Sequence, residues 1–270
     1  TINNSKSDLE LISHQYLNNQ QILKVNYKNE KKIFTFKLNL IGKIQINNIL
    51  MAMLAAKQSG LNFTSVAKLM NKIKPVEGRL ENIGKLKDNS KVILDYAHTP
   101  DALKTILINV KEQFPFSKIR LTFGCGGERD KAKRLKMGEI ASKFADSIYL
   151  TDDNPRGENP KKIRNQIKKG IRRDRNLIEI SSRRMAIINC INDLQSGEIA
   201  IIAGKGHEKT QEYKDKKIFF SDRKEILKSI FNKNKTLSKD LRFNIIKEKS
   251  QKSLNNLHLN KAVINSNEIK

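Results

Sequence analysis

The stretch that decides the fold is Asp146-Ser147-Ile148-Tyr149-Leu150-Thr151-Asp152-Asp153-Asn154-Pro155-Arg156. Its first five residues predict a short strand, and in an open α/β sheet ligands are held by the loop after a strand's carboxyl end. Pro155 fixes the loop backbone and biases Asn154 toward an extended conformation. Arg156 offers a rigid fork for a carboxylate, whereas Asp153 and Asn154 suit an ammonium group. The loop can therefore grip an amino acid by both charges, although Asp-Asn-Pro alone is more typical of an ordinary polar turn.

Strand-like and helix-like runs alternate from residue 76 onward, which is the pattern of a parallel sheet with crossover helices. The predicted strands are 91–95, 118–123, 146–150, 176–180 and 198–203, and the predicted helices are 100–113, 132–144, 160–171 and 183–194. We expect an α/β fold with a Rossmann-like, mostly parallel sheet flanked by helices. Every predicted strand but the fourth is followed by a polar, Gly- or Asp-rich loop, so the chemistry should gather at one edge of the sheet.

The chain ahead of this repeat has a different pattern. Residues 21–25 and 32–38 are strand-like, 49–56 form an apolar run long enough for a buried helix, and 64–74 form an amphipathic helix that ends before Pro75. We therefore divide the chain into residues 1–75, 76–232 and a Lys/Asn/Ser-rich segment, 233–270, which we interpret as a linker and the start of something else.

The overall charge is strongly basic, with 53 Lys and Arg against 28 Asp and Glu and a formal net charge of +25. Such a field attracts nucleic acid or a substrate that carries several phosphates. The lysines are spread along the whole chain among many Asn and Ile residues, so we interpret them as a general bias in the composition of the source's proteins. Nucleic acid is therefore the weaker of the two partner hypotheses.

Cysteine usage and hydropathy indicate a cytoplasmic protein. Cys125 and Cys190 lie far apart in sequence and have no metal-ligand spacing, which favours a reducing compartment. The sequence contains no signal peptide and no long apolar span, so we expect no membrane partner. We expect no metal site formed by this chain's residues, since His207 has no second ligand at helical spacing.

Three further loops follow predicted strands and carry polar residues. Asp95-Tyr96-Ala97-His98-Thr99-Pro100-Asp101 offers a carboxylate and an imidazole, and Thr99 and Pro100 suit the start of a helix. Phe123-Gly124-Cys125-Gly126-Gly127-Glu128-Arg129 and Ala203-Gly204-Lys205-Gly206-His207-Glu208 combine glycines, which allow close approach of the backbone, with charged side chains. The chain contains neither a Walker phosphate-binding loop nor a dinucleotide-binding Gly-x-Gly-x-x-Gly motif.

These loops, together with Gly78-Arg79-Leu80-Glu81 and Ser221-Asp222-Arg223, occur in the order that is typical of one family. The series resembles the diaminopimelate-adding enzymes of the Mur ligase family over about residues 40–232. That resemblance implies the family's C-terminal domain, preceded by the end of its central ATPase domain. It also implies a reaction in which ATP activates the carboxylate of a UDP-linked muramoyl dipeptide and the amine of meso-diaminopimelate then attacks.

The resemblance implies two sets of site residues. The residues implied to bind diaminopimelate are Arg129, Asp153, Asn154, Pro155, Arg156, Gly204 and Glu208. The residues implied to face ATP are Asn48, Arg79, Asp95 and His98, while Gln45 departs from the asparagine that relatives commonly have. Lysine-adding and folylpolyglutamate-type relatives are the alternatives, and Arg156 and Glu208 argue against them because lysine has no second carboxylate.

The resemblance also implies parts that this sequence does not contain. The family's phosphate-binding loop, Mg²⁺ ligands, carbamylated lysine and UDP-binding domain should all precede Thr1, so we expect this chain alone not to turn over ATP. Residues 259–270 resemble the opening strand of another Mur ligase. We therefore expect a fragment of two fused ligases.

Overall fold

The computed structural model describes residues 7–214 and 216–238. Its first part is an antiparallel sheet of β1 (Leu9–Leu17), β2 (Gln20–Tyr27) and β3 (Lys32–Leu38), in that order. Two helices, α1 (Ile44–Gln58) and α2 (Phe63–Lys68), complete this part of the core. Phe63 stacks on Tyr27 with the ring centroids 4.2 Å apart, which joins α2 to the sheet.

The sequence patterns predicted two of the three strands and both helices of this first part, but not all of their bounds. The prediction missed β1, and α1 begins at Ile44, five residues before the predicted apolar run. The predicted helix 64–74 is also shorter, because α2 ends at Lys68 and a 3-10 turn, Met70–Lys72, follows it. Asn62 caps α2 by accepting a hydrogen bond from the Ser65 amide, so this helix starts slightly earlier than predicted.

The second part is a six-stranded sheet covered by helices on both faces. Its strands are β4 (Glu81–Lys85), β5 (Lys91–Asp95), β6 (Ile119–Phe123), β7 (Ser147–Leu150), β8 (Asn176–Glu179) and β9 (Ile199–Ala203). The helices are α3 (Pro100–Gln113), α4 (Ala132–Phe144), α5 (Pro160–Lys168), α6 (Arg183–Asn192) and α7 (222–238). The strand order is β4-β5-β9-β6-β7-β8, and only β4 pairs antiparallel.

This architecture confirms the predicted α/β fold with a mostly parallel sheet. All five predicted strands are present, and α3 and α4 have the predicted bounds. The edge strand β4 was not predicted, and neither was the hairpin of β10 (Thr210–Tyr213) and β11 (Lys216–Phe219). Both features are short and polar, so they lack the apolar runs that marked the buried strands.

The core of the large sheet lies on both of its faces. Ile93, Leu121 and Ile201 pack in the cluster that contains residues of α3 and α4. Val92, Leu94 and Ile202 point the other way, into the cluster that contains residues of α6 and α7. Because side chains alternate along a strand, a central strand covered on both sides must be apolar throughout, and every residue of β9 is buried.

Helix α7 continues to residue 238, past the predicted start of the linker at 233. Lys233 anchors this continuation, since its Nζ donates to the carbonyls of Ile191 and Asn192 at 3.0 and 2.8 Å, at the end of α6. The remainder of the predicted linker, including the segment 259–270 on which the fusion hypothesis rests, lies outside the described residues. Among the described helices, none is long and apolar enough to cross a membrane.

The two parts of the chain meet at the start of α1 and the end of α3. Gln113 Oε1 accepts a hydrogen bond from the Gly42 amide at 2.9 Å, and Asn109 Oδ1 accepts one from the Ile44 amide at 3.0 Å. Gln113 Nε2 donates in turn to the Asn19 carbonyl at 2.7 Å. Two polar side chains of α3 therefore fix where the first part sits against the large sheet.

Candidate functional site

A cleft of about 600 Å³ opens at the carboxyl edge of the large sheet. We call it the first cleft. The predicted amino-acid-binding residues that line it are Arg129, Asp153, Asn154, Arg156, Gly204 and Glu208. Pro155 is not among the lining residues, and its carbonyl instead accepts a hydrogen bond from the Glu158 amide at 3.1 Å. The loops after β6, β7 and β9 thus converge, as parallel strand order requires.

The glycine-rich loop after β6 packs directly on the loop after β7. A Cβ at Gly124 would lie 2.2 Å from the Thr151 carbonyl oxygen, and one at Gly127 would lie 1.9 Å from the Pro155 carbonyl oxygen. The Gly127 amide donates to the Asn154 carbonyl at 2.9 Å. These glycines are therefore required for backbone packing that holds the two walls together.

Arg156 adopts a left-handed conformation, with φ 52°, at the turn of its loop. Its guanidinium is tied at two points, since Nε donates to Glu212 at 3.0 Å and Nη1 donates to the Gly127 carbonyl at 2.9 Å. The side chain is 22% exposed and lines the first cleft. These two contacts hold the guanidinium in one orientation in the wall of the cleft.

A buried arginine supports the cleft from behind. Arg134 of α4 has no exposed side-chain area, and it donates from both terminal nitrogens to Glu158 at 2.9 Å. It also donates to the Gly126 carbonyl at 3.1 Å. The Arg134 guanidinium is the main reason that the pKa of Glu158 falls to about 2. Glu158 therefore stays ionised and accepts from the Glu128 amide at 2.6 Å.

The side-chain amide of Asn154 turns its oxygen toward Lys205 and its nitrogen toward Glu208. Its Oδ1 accepts from Lys205 Nζ at 2.8 Å and from the Glu212 amide at 3.1 Å, while Nδ2 donates to Glu208 at 3.2 Å. A flipped amide would place Nδ2 against the Lys205 ammonium, so this orientation is fixed by its neighbours. The acceptor of Asn154 is thus engaged by an ammonium group of this chain and its donor faces Glu208, so its part in binding a ligand stays a prediction.

Two buried cations beside the first cleft were missed by sequence reasoning. Lys205 is fully buried and donates to Glu208 at 2.8 Å. Arg183, also fully buried, forms a two-point ion pair with Asp222 at 2.7 and 2.6 Å and lies 3.9 Å from the Asp153 carboxylate. Lys205 lies within the glycine-containing motif that follows β9, whereas Arg183 begins α6, whose sequence has no distinguishing pattern. Burial is the signal that singles them out, and it is not visible in sequence.

A second cleft, of about 480 Å³, lies where the two parts of the chain meet. Asn48, Arg79 and Asp95 of the predicted ATP-facing set line it together with Gln45, which accepts a hydrogen bond from Asn48 at 3.3 Å. Asp95 is buried, and its two oxygens accept from the Leu80 and Ala97 amides at 2.7 Å each. Burial raises the pKa of Asp95, and these backbone donors act against that rise.

His98, the fourth predicted ATP-facing residue, lines the first cleft instead. Its ring lies edge-on to Tyr96, with centroids 4.7 Å apart, and the Arg79 guanidinium lies 4.7 Å from the centroid of the same Tyr96 ring. Tyr96 therefore connects the two clefts, which places the two predicted sets of residues next to each other.

The family resemblance implies Mg²⁺, which proteins commonly hold with one or two carboxylates and the phosphates of the substrate. Among the described residues, no three His, Cys, Asp or Glu side chains cluster closely enough to hold a metal ion. Asp95 is the one carboxylate of the second cleft, and backbone amides engage both of its oxygens. We therefore assign no step to a metal held by these residues.

The sequence and the fold were compared with those of known proteins. Residues 78–206 match the model of the Mur ligase glutamate ligase domain. Through these residues the chain belongs to the Mur ligase family. It is 44% identical over 201 residues to a UDP-N-acetylmuramoyl-L-alanyl-D-glutamate–2,6-diaminopimelate ligase of Rickettsia typhi, covering 74% of this chain and 40% of that protein. A ligase of the same name from Buchnera aphidicola is 42% identical over 72% of this chain and 38% of its own length.

Solved Mur ligase structures share the fold. A diaminopimelate ligase structure superposes with a TM-score of 0.66 at 31% identity, covering 85% of this chain and 46% of that chain. A Mur ligase of Thermotoga maritima in complex with ADP gives a TM-score of 0.58 at 15% identity, over 87% of this chain and 48% of that chain, which shows the fold alone. The chain thus spans about 40% of the length of the curated Mur ligases that it matches.

Proposed function

We propose that this chain supplies the amino-acid-binding domain of an ATP-dependent ligase that joins meso-diaminopimelate to UDP-N-acetylmuramoyl-L-alanyl-D-glutamate in peptidoglycan synthesis. The observation that carries this proposal is the first cleft, where guanidinium groups and carboxylates gather within one space of about 600 Å³. Relatives at 44% and 42% identity bear the name of such a ligase.

The charges of the first cleft suit a molecule with two ammonium and two carboxylate groups. Arg129 and Arg156 supply guanidinium forks, and Asn154 adds an amide donor, all three for carboxylates. Asp153 and Glu208 supply negative charge for ammonium groups. The Arg183 guanidinium lies 3.9 Å from the Asp153 carboxylate, and Gly204 leaves room for that carboxylate, since a Cβ there would lie 2.9 Å from it.

The second cleft takes the adenine nucleotide in this proposal. Its walls combine apolar side chains with Asn48, Gln45 and Arg79, which offers both an apolar surface and polar groups for a base and ribose. Because Tyr96 links the two clefts, the amino acid held in the first cleft is a neighbour of the nucleotide held in the second. These residues thus orient the attacking amine, in a reaction that forms an amide and releases ADP and phosphate.

Arg156 is the residue whose replacement tests this proposal most sharply. We expect Arg156→Ala to weaken the binding of meso-diaminopimelate to this chain by roughly thirtyfold or more, because it removes a charged partner from a half-buried site. Arg156→Lys keeps the charge but loses the fork, so it should recover only part of the affinity. Isothermal titration calorimetry measures both.

A matched control is Arg172→Ala, since Arg172 is 62% exposed and forms an ion pair with the equally exposed Asp174. We expect this variant to bind like the unaltered chain. The assignment of Arg156 fails if Arg156→Ala binds meso-diaminopimelate with unchanged affinity.

A further inference from the structure

Lys205 occupies an unusual position for a lysine, fully buried at the end of β9. The glycines on either side, Gly204 and Gly206, have φ values of 115° and 52°, which other residues rarely adopt. They turn the chain so that the lysine side chain enters the protein. Its Nζ lies 2.8 Å from Asn154 Oδ1 and 2.8 Å from Glu208 Oε2, and so it joins two walls of the first cleft.

The Lys205 ammonium fixes which end of the Asn154 amide is presented. An ammonium group has hydrogens and no acceptor, so only Oδ1 can face it. The amide Nδ2 must then point toward Glu208, to which it donates at 3.2 Å. Nδ2 carries a second hydrogen, which is available to a ligand carboxylate.

Lys205 also balances the charge of Glu208. The two groups form an ion pair in which the lysine is fully buried and the Glu208 side chain is 32% exposed. Glu208 Oε2 is engaged by Lys205 and Asn154, and Oε1 remains the oxygen that can receive a ligand ammonium. Without Lys205 the cleft would gain one unit of negative charge, which favours a cationic ligand over a zwitterionic one.

We propose that Lys205 is a specificity-determining positioning residue, which sets the preference of the first cleft for a diamino-dicarboxylic acid over a diamino-monocarboxylic acid. The inference rests on the proposed function. Meso-diaminopimelate carries two carboxylates and no net charge, whereas lysine carries one carboxylate and a net charge of one. Lys205 therefore favours the dicarboxylic ligand in two ways. It orients the Asn154 donor toward a ligand carboxylate, and it offsets the negative charge of Glu208.

The ratio of the affinities for meso-diaminopimelate and lysine tests this role. In calorimetry with the whole chain, Lys205→Met should reduce the preference for meso-diaminopimelate over lysine by roughly tenfold or more. The reason is that the affinity for lysine falls less than the affinity for meso-diaminopimelate. Lys205→Gln is a second neutral variant and should change the ratio in the same direction. Lys209→Met is the control, since Lys209 is exposed on the same loop, and it should leave the ratio unchanged.

A second measurement tests, without a ligand, whether Lys205 orients the Asn154 amide. In ¹⁵N-¹H NMR spectra, the side-chain amide of Asn154 should shift strongly in Lys205→Met and stay in place in Lys209→Met. An unchanged affinity ratio together with an unchanged Asn154 amide would overturn the role of Lys205. Absence of meso-diaminopimelate binding by the unaltered chain would instead refute the proposed function, while the amide signal would still report on Lys205.

Discussion

The two cysteines illustrate how burial controls chemistry at the scale of a residue. Cys125 lies in the core cluster on one side of the large sheet, and Cys190 lies in the cluster on the other side. Burial raises the pKa of each thiol to about 12. Cys125 stands among the polar residues of the first cleft, yet its thiol is 3.6 Å from Met137 Sδ and faces the core. A thiol with such a pKa is neutral and unreactive at pH 8.

We therefore expect neither cysteine to react with an aromatic disulfide reagent at pH 8 while the chain is folded. After unfolding in urea both thiols should react, with a stoichiometry of two per chain. Absorbance of the released thiolate measures both states. Rapid labelling of the folded chain would show that Cys125 is exposed to the first cleft.

Residue types were predictable at this scale, but side-chain directions were not. Sequence motifs selected Arg129, Asp153 and Glu208, because charged residues in loops after strands mark the ligand-binding edge of a sheet. The amide orientation of Asn154 depends on Lys205, which lies 51 residues away along the chain. Such a dependence is tertiary, so no local pattern contains it. The close approach of the backbone that the glycines predicted is found at Gly127, where a Cβ would meet the Pro155 carbonyl, but its partner segment could not be predicted.

At the scale of elements, one buried ion pair joins several segments. Arg134 of α4 binds Glu158, which precedes α5, and also donates to Gln166 of α5 at 2.6 Å. Its contact with the Gly126 carbonyl extends the connection to the loop after β6. A buried guanidinium whose partner is removed is costly, because its desolvation is no longer offset.

We expect Glu158→Ala to lower the free energy of unfolding by about 2 kcal/mol or more, since Arg134 would lose its charged partner and keep, among the described residues, the neutral acceptors Gln166 and Gly126. Asp174→Ala is the control, because the pair of Asp174 with Arg172 is exposed, and its urea midpoint should not change. Urea unfolding followed by circular dichroism measures both. Equal midpoints for the two variants would contradict a supporting role for Glu158.

The same pair has a defined pH dependence. The folded-state pKa of Glu158, about 2, is below the ordinary value of 4.5, so its stabilisation is complete above about pH 4.5 and is lost as the pH falls toward 2. Glu158→Gln should therefore lose less stability than the unaltered chain over this interval.

Elements were predicted best where burial imposes a strong pattern. The bounds of α3 follow from Thr99, which caps the helix by accepting from the Ala102 amide, and from Pro100 at its first position. The apolar runs of β5, β7 and β9 likewise identified central strands. β1, β4 and the β10–β11 hairpin were missed because polar residues interrupt their apolar pattern, although each of these strands pairs with its neighbour in sequence.

At the scale of the whole molecule, the relation of the two clefts follows from how the parts of the chain meet. The second cleft takes residues from both parts, with Asn48 on α1 and Thr105 on α3, and the Asn109 and Gln113 contacts fix their distance. Tyr96 joins this cleft to the first. In our proposal the molecule thus presents adjacent sites for an amino acid and a nucleotide.

In our proposal the first cleft recognises both ends of a diamino-dicarboxylic acid. Isothermal titration calorimetry of this chain with meso-diaminopimelate, lysine and glutamate in parallel tests it most directly. We expect meso-diaminopimelate to bind tightest, with lysine weaker by roughly tenfold or more because it lacks the second carboxylate, and glutamate weaker because it lacks the second ammonium group. Binding of lysine or glutamate as tight as that of meso-diaminopimelate, or no binding of meso-diaminopimelate at all, would contradict the account.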